Sequence, residues 1–252
     1  MTELSGTIAV VFIFYVLAML GIGVWTARVT SSPVDFFLAD RSLKSWVTAI
    51  SSTASSESAW AVLGTVGLTY KEGLSAIWFM PGCLFGYLVN WLFIAERLRK
   101  HSEENQAITL PDYFENHFDD KSHVLRMISV VIIFSCMMAY VAAQFTAIGK
   151  TFDAIFGISH IISISVGGAI VLVYTMMGGV RAVVWTDFAQ GIIMVFGLVI
   201  LSGVALASLG GFSGMIAEVG KASPETLQWI GEKSTAAFLG STVGLLGIGL
   251  GY

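Results

Sequence analysis

The stretch "AISSTASSESAW", residues 49–60, sets five serines, a threonine and one glutamate inside an otherwise apolar run. Polar groups left unsatisfied in hydrocarbon cost roughly several kcal/mol each, so they persist where they do something. On a regular helix, at about 100° per residue, Thr48, Ser51, Ser52, Ser55 and Ser58 form one stripe, with Glu57 roughly opposite beside Ala54, Ala61 and Gly64. A single intact helix with polar groups on two sides cannot lie against lipid. It is either surrounded by protein or unwound near the serines, and both arrangements place it at a binding site. Single serines have a plainer use, bonding their own i−4 carbonyls or easing close packing with Gly64 and Gly67. The cluster together with an acid points to function, the default for an intramembrane carboxylate. Trp60 is either a core aromatic or a lid over a bound solute.

A second acid, Asp187 in "GGVRAVVWTDFAQ", also approaches an apolar run. It either opens the helix that follows or belongs to an ion path or gate. Tyr140 and Gln144 in "SCMMAYVAAQF" stand one helical turn apart and share a face, as a functional polar pair or an interhelical hydrogen bond. The sequence holds no metal-ligand spacing, nucleophilic triad or phosphate loop, so an enzyme is not indicated.

The elements that must position these residues are membrane spans. Charged residues make up 12% of the chain, about half the share of an ordinary soluble domain. Apolar runs of about 20 residues, enough to cross a bilayer, are expected near 7–27, 47–69, 75–95, 125–148, 158–177 and 188–209. A seventh, 236–252, is still apolar at Tyr252, and we expect the chain to be the N-terminal part of a longer transmembrane protein. Nine of the thirteen Lys and Arg residues follow the odd-numbered spans, which predicts those loops to be cytoplasmic and the N-terminus outside. Cys83 and Cys136 lie in apolar runs and read as small core residues. No basic patch is interleaved with aromatics, so nucleic acid is not indicated. Between the third and fourth spans, Thr109 and Asp112 have capping-box spacing with Pro111 in the first turn, which predicts a short helix. The 210–235 stretch reads as a loop with short helices.

The motifs "FFLADRSLKSWVTAISSTASSESAWAVLG", "NWLFIAERLRKHSEENQAITLPDYFENHF", "YTMMGGVRAVVWTDFAQ" and "GIGLGY" occur in that order. In this the chain resembles the sodium/solute symporter family, most closely its sodium/proline branch. The resemblance implies an all-α polytopic membrane protein with a leucine-transporter-like fold of inverted five-helix repeats. This chain would hold a preceding helix, the first repeat and the start of the second. It implies sodium-coupled symport of a small organic solute, proline or another amino acid, across the cell membrane. Sodium is then the co-transported ligand, and no other cofactor is expected. The helix matching 47–69 is discontinuous in the family, and broken helices of this kind offer carbonyl oxygen to the cation. Carried over, Ala54 and Glu57 take carbonyl-donor positions, with Ser55, Ser56 and Ser58 beside them and Asp187 on the sodium path. Trp60, Tyr140, Gln144 and Tyr252 fall on the solute side, and Arg41 matches the arginine of the "RSL" motif, a gating or coupling position. The proline branch has "ASDMSGW" where this chain has "ASSESAW", so Ser56 takes the acid's place and Glu57 is shifted by one. That branch also has a tryptophan at the position of Ile248. The second departure bears on proline as solute more than on sodium. Two other readings remain open from the residues alone: a seven-helix receptor, and a channel, which would want repeated filter residues.

Overall fold

Long apolar runs without prolines in their middles can satisfy their backbone in lipid only as helices. The computed structural model describes residues 2–58, 63–230 and 234–251, and these are helical, with no strand among them. The helices are α1 (Thr2–Ala27), α2 (Pro33–Leu38), α3 (Ser45–Ser56), α4 (Thr65–Glu72), α5 (Phe79–Val89), α6 (Glu96–Glu104), α7 (Leu110–His117), α8 (Val124–Phe156), α9 (His160–Ser208), α10 (Gly211–Ala222) and α11 (Thr235–Gly251). Among the described residues four helical runs, Gly6–Ala27, Thr65–Glu104, Val124–Phe156 and His160–Ser208, are long and apolar enough to cross a membrane by length and composition.

Within the 47–69 run the helix is interrupted at Glu57 and Ser58, and residues 59–62 lie outside the described residues. α3 stops at Ser56 and α4 begins at Thr65. In contrast, the 158–177 and 188–209 runs join. α9 is 49 residues long, about 74 Å at 1.5 Å per residue, more than twice the roughly 30 Å of hydrocarbon in a bilayer. It is broken within, at Gly179 (φ 59°, ψ −147°), into limbs 160–178 and 180–208. The expected connection between these spans, 178–187, is therefore a one-residue break. The reason is local: "VRAVVWT" after the glycine pair contains no helix breaker, so hydrogen bonding resumes at once.

The chain forms two units, Met1–Ala59 with Ala107–Ile193, and Trp60–Gln106 with Met194–Tyr252. The first unit is held by close approach at small residues, as membrane helices generally are. A Cβ on Gly23 would stand 2.9 Å from that of Tyr174, and one on Gly178 would collide with Thr26. Thr26 and Thr186 are fully buried. Each returns its hydroxyl to its own helix, Thr26 Oγ1 donating to the Ile22 carbonyl at 2.8 Å and Thr186 Oγ1 to that of Val183 at 2.8 Å. Edge-to-face pairs join α1 to α8 (Phe12–Phe152, 5.1 Å) and α1 to α9 (Trp25–Trp185, 5.8 Å).

α7 begins as its sequence predicts. The Thr109 hydroxyl accepts from the Asp112 N–H, and the Asp112 carboxylate accepts from the Thr109 N–H, with Pro111 in the first turn. Arg126 of α8 then bridges Asp112 (2.9 Å) and Glu115 (3.0 Å). Thr109→Ala is expected to lower unfolding free energy by about 1 kcal/mol, the usual cost of a lost N-cap, read from the thermal midpoint in detergent.

In the second unit α11 packs along α5, whose Gly82 and Gly86 are buried. Trp78 Nε1 donates to the Trp229 carbonyl at 2.9 Å, and its ring meets Phe238 edge-on. A π-helical turn at Asn90–Ala95 leads into α6.

Candidate functional site

Ser51 and Ser55 are four residues apart on α3, hence on one face. Both hydroxyls donate to the same oxygen of Asp187 on α9, Ser51 at 3.1 Å and Ser55 at 2.5 Å. Ser51 is buried, whereas Asp187 is half-buried and Ser55 exposed. The contact has a support on either side along the two helices. Toward the start of α3, Trp46 meets Phe188 edge-on at 5.1 Å. Toward its end Gly191 lets α3 come close, since a Cβ there would stand 3.0 Å from Ile50 Cγ2 and 3.3 Å from Ala54 Cβ. Asp187 does not open a helix. It lies inside the second limb of α9, about two turns past Gly179, so of the two roles open in the sequence the capping one is excluded by position.

α3 ends at this site. The Glu57 N–H contacts the Thr53 and Ala54 carbonyls at 3.2 Å each, Glu57 itself leaves helical geometry (φ −73°, ψ 84°), and the Ser58 N–H turns to the Ser56 carbonyl at 2.9 Å. The Ser56 hydroxyl bonds back to the Thr53 carbonyl at 2.7 Å. Backbone carbonyls of the last turn thus depart from the regular ladder where the serines meet Asp187. The Glu57 side chain is exposed and Ser58 half-buried.

Trp60 and Tyr252 lie outside the described residues. On α8, Tyr140 is exposed and Gln144, one turn on, half-buried. Arg41 precedes α3 in a left-handed conformation (φ 54°), and its Nη2 donates to the Ala107 carbonyl at 3.1 Å. The structure therefore brings together Ser55, Ala54 and Asp187 from the sequence-derived set and adds Ser51. The signal for Ser51 was present, since it shares the Ser55 stripe.

A second polar contact carried no such signal. Asp35 of α2 is 1% exposed and pairs with Arg181, whose Nε and Nη2 donate to one carboxylate oxygen at 3.1 and 2.6 Å. The other oxygen accepts from the Ser31 N–H at 3.1 Å. Asp35 also receives the N-cap of its own helix, its N–H donating to Ser32 Oγ at 2.9 Å. Arg181 is thus committed to an ion pair. The Arg181 hydrogen bonds, aided by the Ser31 N–H and the arginine's charge, hold the Asp35 carboxyl below the usual carboxylate value of 3.8 against the opposing effect of burial. A lowered native pKa means that the unfolded state binds the proton first, so the contribution is complete above the unfolded value and lost as pH falls through the native one. The thermal midpoint should be insensitive to Asp35 above about pH 5 and fall in stronger acid. Asp35→Asn should lower the midpoint at neutral pH and flatten that acid slope.

The donors gathered at the α3–α9 contact are a carboxylate, two hydroxyls and nearby carbonyls, all oxygen. Such a set suits a hard cation and not a soft transition metal. Among the described residues no group of three His, Cys, Asp or Glu side chains could hold a metal ion.

A family model described as the sodium:solute symporter family matches residues 36–252. The chain is 36% identical over 250 residues to the sodium/proline symporter of Escherichia coli (strain K12), covering 99% of this chain and 49% of that protein. It is 34% identical over 235 residues to the high-affinity proline transporter PutP of Bacillus subtilis (strain 168), covering 93% and 49%. To the sodium/proline symporter of Staphylococcus aureus (strain bovine RF122 / ET3-1) it is 36% identical over 240 residues, 94% and 46%. The chain spans about half the length of these curated relatives. No solved structure matches.

Proposed function

The chain belongs to the sodium:solute symporter family, and from that premise we propose that the complete protein carries a small organic solute into the cell together with sodium. The observation that carries the reading is the Ser51–Ser55–Asp187 contact beside the broken end of α3. Two hydroxyls and a carboxylate converge where carbonyls leave the helical ladder, the arrangement by which interrupted transporter helices take up a cation. On binding, sodium replaces the hydroxyl protons as the partner of the Asp187 oxygen. Ser51 and Ser55 then turn their lone pairs to the ion, with the Ala54 carbonyl and the turn through Ser56, Glu57 and Ser58 in reach. Coupling follows if sodium and solute each favour the same arrangement of helices.

Proline is the first solute to test, because the relatives are named for it. Trp60, Tyr140, Gln144 and Tyr252 form the solute side in this proposal, and Arg41 couples the connection before α3 to the site. The fold we propose is the inverted-repeat one, with the interrupted α3–α4 run as the first helix of a repeat, and the N-terminus outside as the Lys and Arg distribution favours. The receptor alternative gives way to family membership, since the family is one of symporters.

The test is uptake of labelled proline, with other amino acids as competitors, by the complete protein in reconstituted vesicles. Accumulation should require an inward sodium gradient and saturate in both sodium and solute. Accumulation of equal size with potassium in place of sodium would sink the proposal.

A further inference from the structure

We propose that Arg181, gripped by Asp35, is a positioning residue that sets the rotation of the second limb of α9 and thereby aims Asp187 at Ser51 and Ser55. The inference rests on the sodium-site reading above, and it follows from four observations. First, α9 is interrupted at Gly179, in a backbone conformation that glycine alone adopts readily. The limb carrying Asp187 is thus not held in rotation by a continuous hydrogen-bonded ladder. Second, Arg181 lies two residues past that break and makes two bonds to Asp35. The side chains are 20% and 2% exposed, so the pair is shielded from the water that would loosen it.

Third, Asp35 is itself fixed. Its second oxygen holds the Ser31 N–H and its own N–H is capped by Ser32. Its helix is closed by fully buried Ala39, after which Arg41 ties the connection to the Ala107 carbonyl. Fourth, Arg181 and Asp187 are six residues apart, so they project about 120° from one another around the helix axis. One faces α2 and the other α3. A single contact leaves a helix free to roll about it, whereas two contacts on different faces do not.

A buried ion pair is weak grounds for stability, because desolvation offsets most of the attraction. Its best-attested use is to fix one arrangement among several, and the arrangement fixed here is the one that presents Asp187 to the two serines.

The experiment uses the complete protein with every native cysteine, Cys83 and Cys136 included, replaced by alanine, reconstituted in vesicles, and reads two quantities. One is sodium-dependent uptake. The other is the distance distribution between spin labels on Val34→Cys in α2 and Ile192→Cys in α9, both exposed positions. Arg181→Gln should raise the half-saturating sodium concentration about tenfold, the size of effect expected when a coupling residue is removed. It should leave the maximal rate within about twofold and broaden the distance distribution. Arg181→Lys, which keeps the charge but not the fork, should fall between. Native sodium dependence with a native distance distribution in Arg181→Gln would overturn the proposal. So would a fall in maximal rate at unchanged half-saturation, the signature of lost protein and not of a misaimed carboxylate. If the parent protein takes up solute without sodium, the reading of the site fails. The label distances then still decide whether Arg181 orients the limb.

Discussion

Asp187→Asn should abolish sodium-driven accumulation at any sodium concentration a cell meets. A carboxylate and a cation about 4 Å apart at an effective dielectric near 20 attract by about 4 kcal/mol, close to a thousandfold in affinity. The amide retains one acceptor oxygen but brings two donors to a place where Ser51 and Ser55 already donate. Ser51→Ala and Ser55→Ala should each be milder, about 1 kcal/mol or roughly fivefold in half-saturating sodium, since each removes one neutral ligand. The series is read by titrating sodium against initial uptake rate at fixed solute. An Asp187→Asn protein with parental half-saturating sodium would remove Asp187 from the ion site.

Gly179→Ala should have the largest effect on the amount of folded protein. Its dihedrals lie where a side chain is strained by about 1–3 kcal/mol, and there is no room to relieve that strain. A Cβ at Gly179 would run into the Phe36 carbonyl and the root of its ring. The obstacle is backbone, so one of the two segments must move. Together the effects should cost several kcal/mol, a large part of the roughly 5–15 kcal/mol that holds a domain together. Gly197→Ala in the same helix is the control, because a Cβ there meets nothing; it should leave the thermal midpoint unchanged or raise it, as alanine favours helix. Equal yield and midpoint for the two variants would show that the break at Gly179 is not needed.

The α3 serines that donate to Asp187 were legible because their signal is periodic and local. Ser51 and Ser55 share a stripe at four-residue spacing, and Thr109 with Asp112 forms a cap that sequence spacing predicts and the structure contains. What sequence could not supply was pairing across distance. Asp187 stood out as an acid in an apolar run, but nothing in its neighbourhood says that it meets the hydroxyls of α3 and not a helix terminus. Asp35 and Arg181 are 146 residues apart, and no local spacing links them. The glycine pair at 178–179 lies between the runs expected at 158–177 and 188–209. Here its use is steric, to admit Thr26 and Phe36 against the backbone. Glu57 drew attention as an acid within a polar cluster, yet its side chain is exposed, and its described interactions are those of its backbone at the end of α3.

The break in α9 also creates a helix terminus in the middle of the protein. Peptide dipoles of the second limb add up to a partial positive charge at its start, and Arg181 sits in that first turn, where a cation is disfavoured. Asp35 therefore compensates two positive charges at once, the guanidinium and the limb's own end. The two halves of the pair are for that reason unequal. Taking away Arg181 leaves Asp35 still facing a favourable helix terminus, whereas taking away Asp35 leaves a shielded cation against a positive one. Of the two residues, the aspartate is the one that a drifting sequence can least easily lose first.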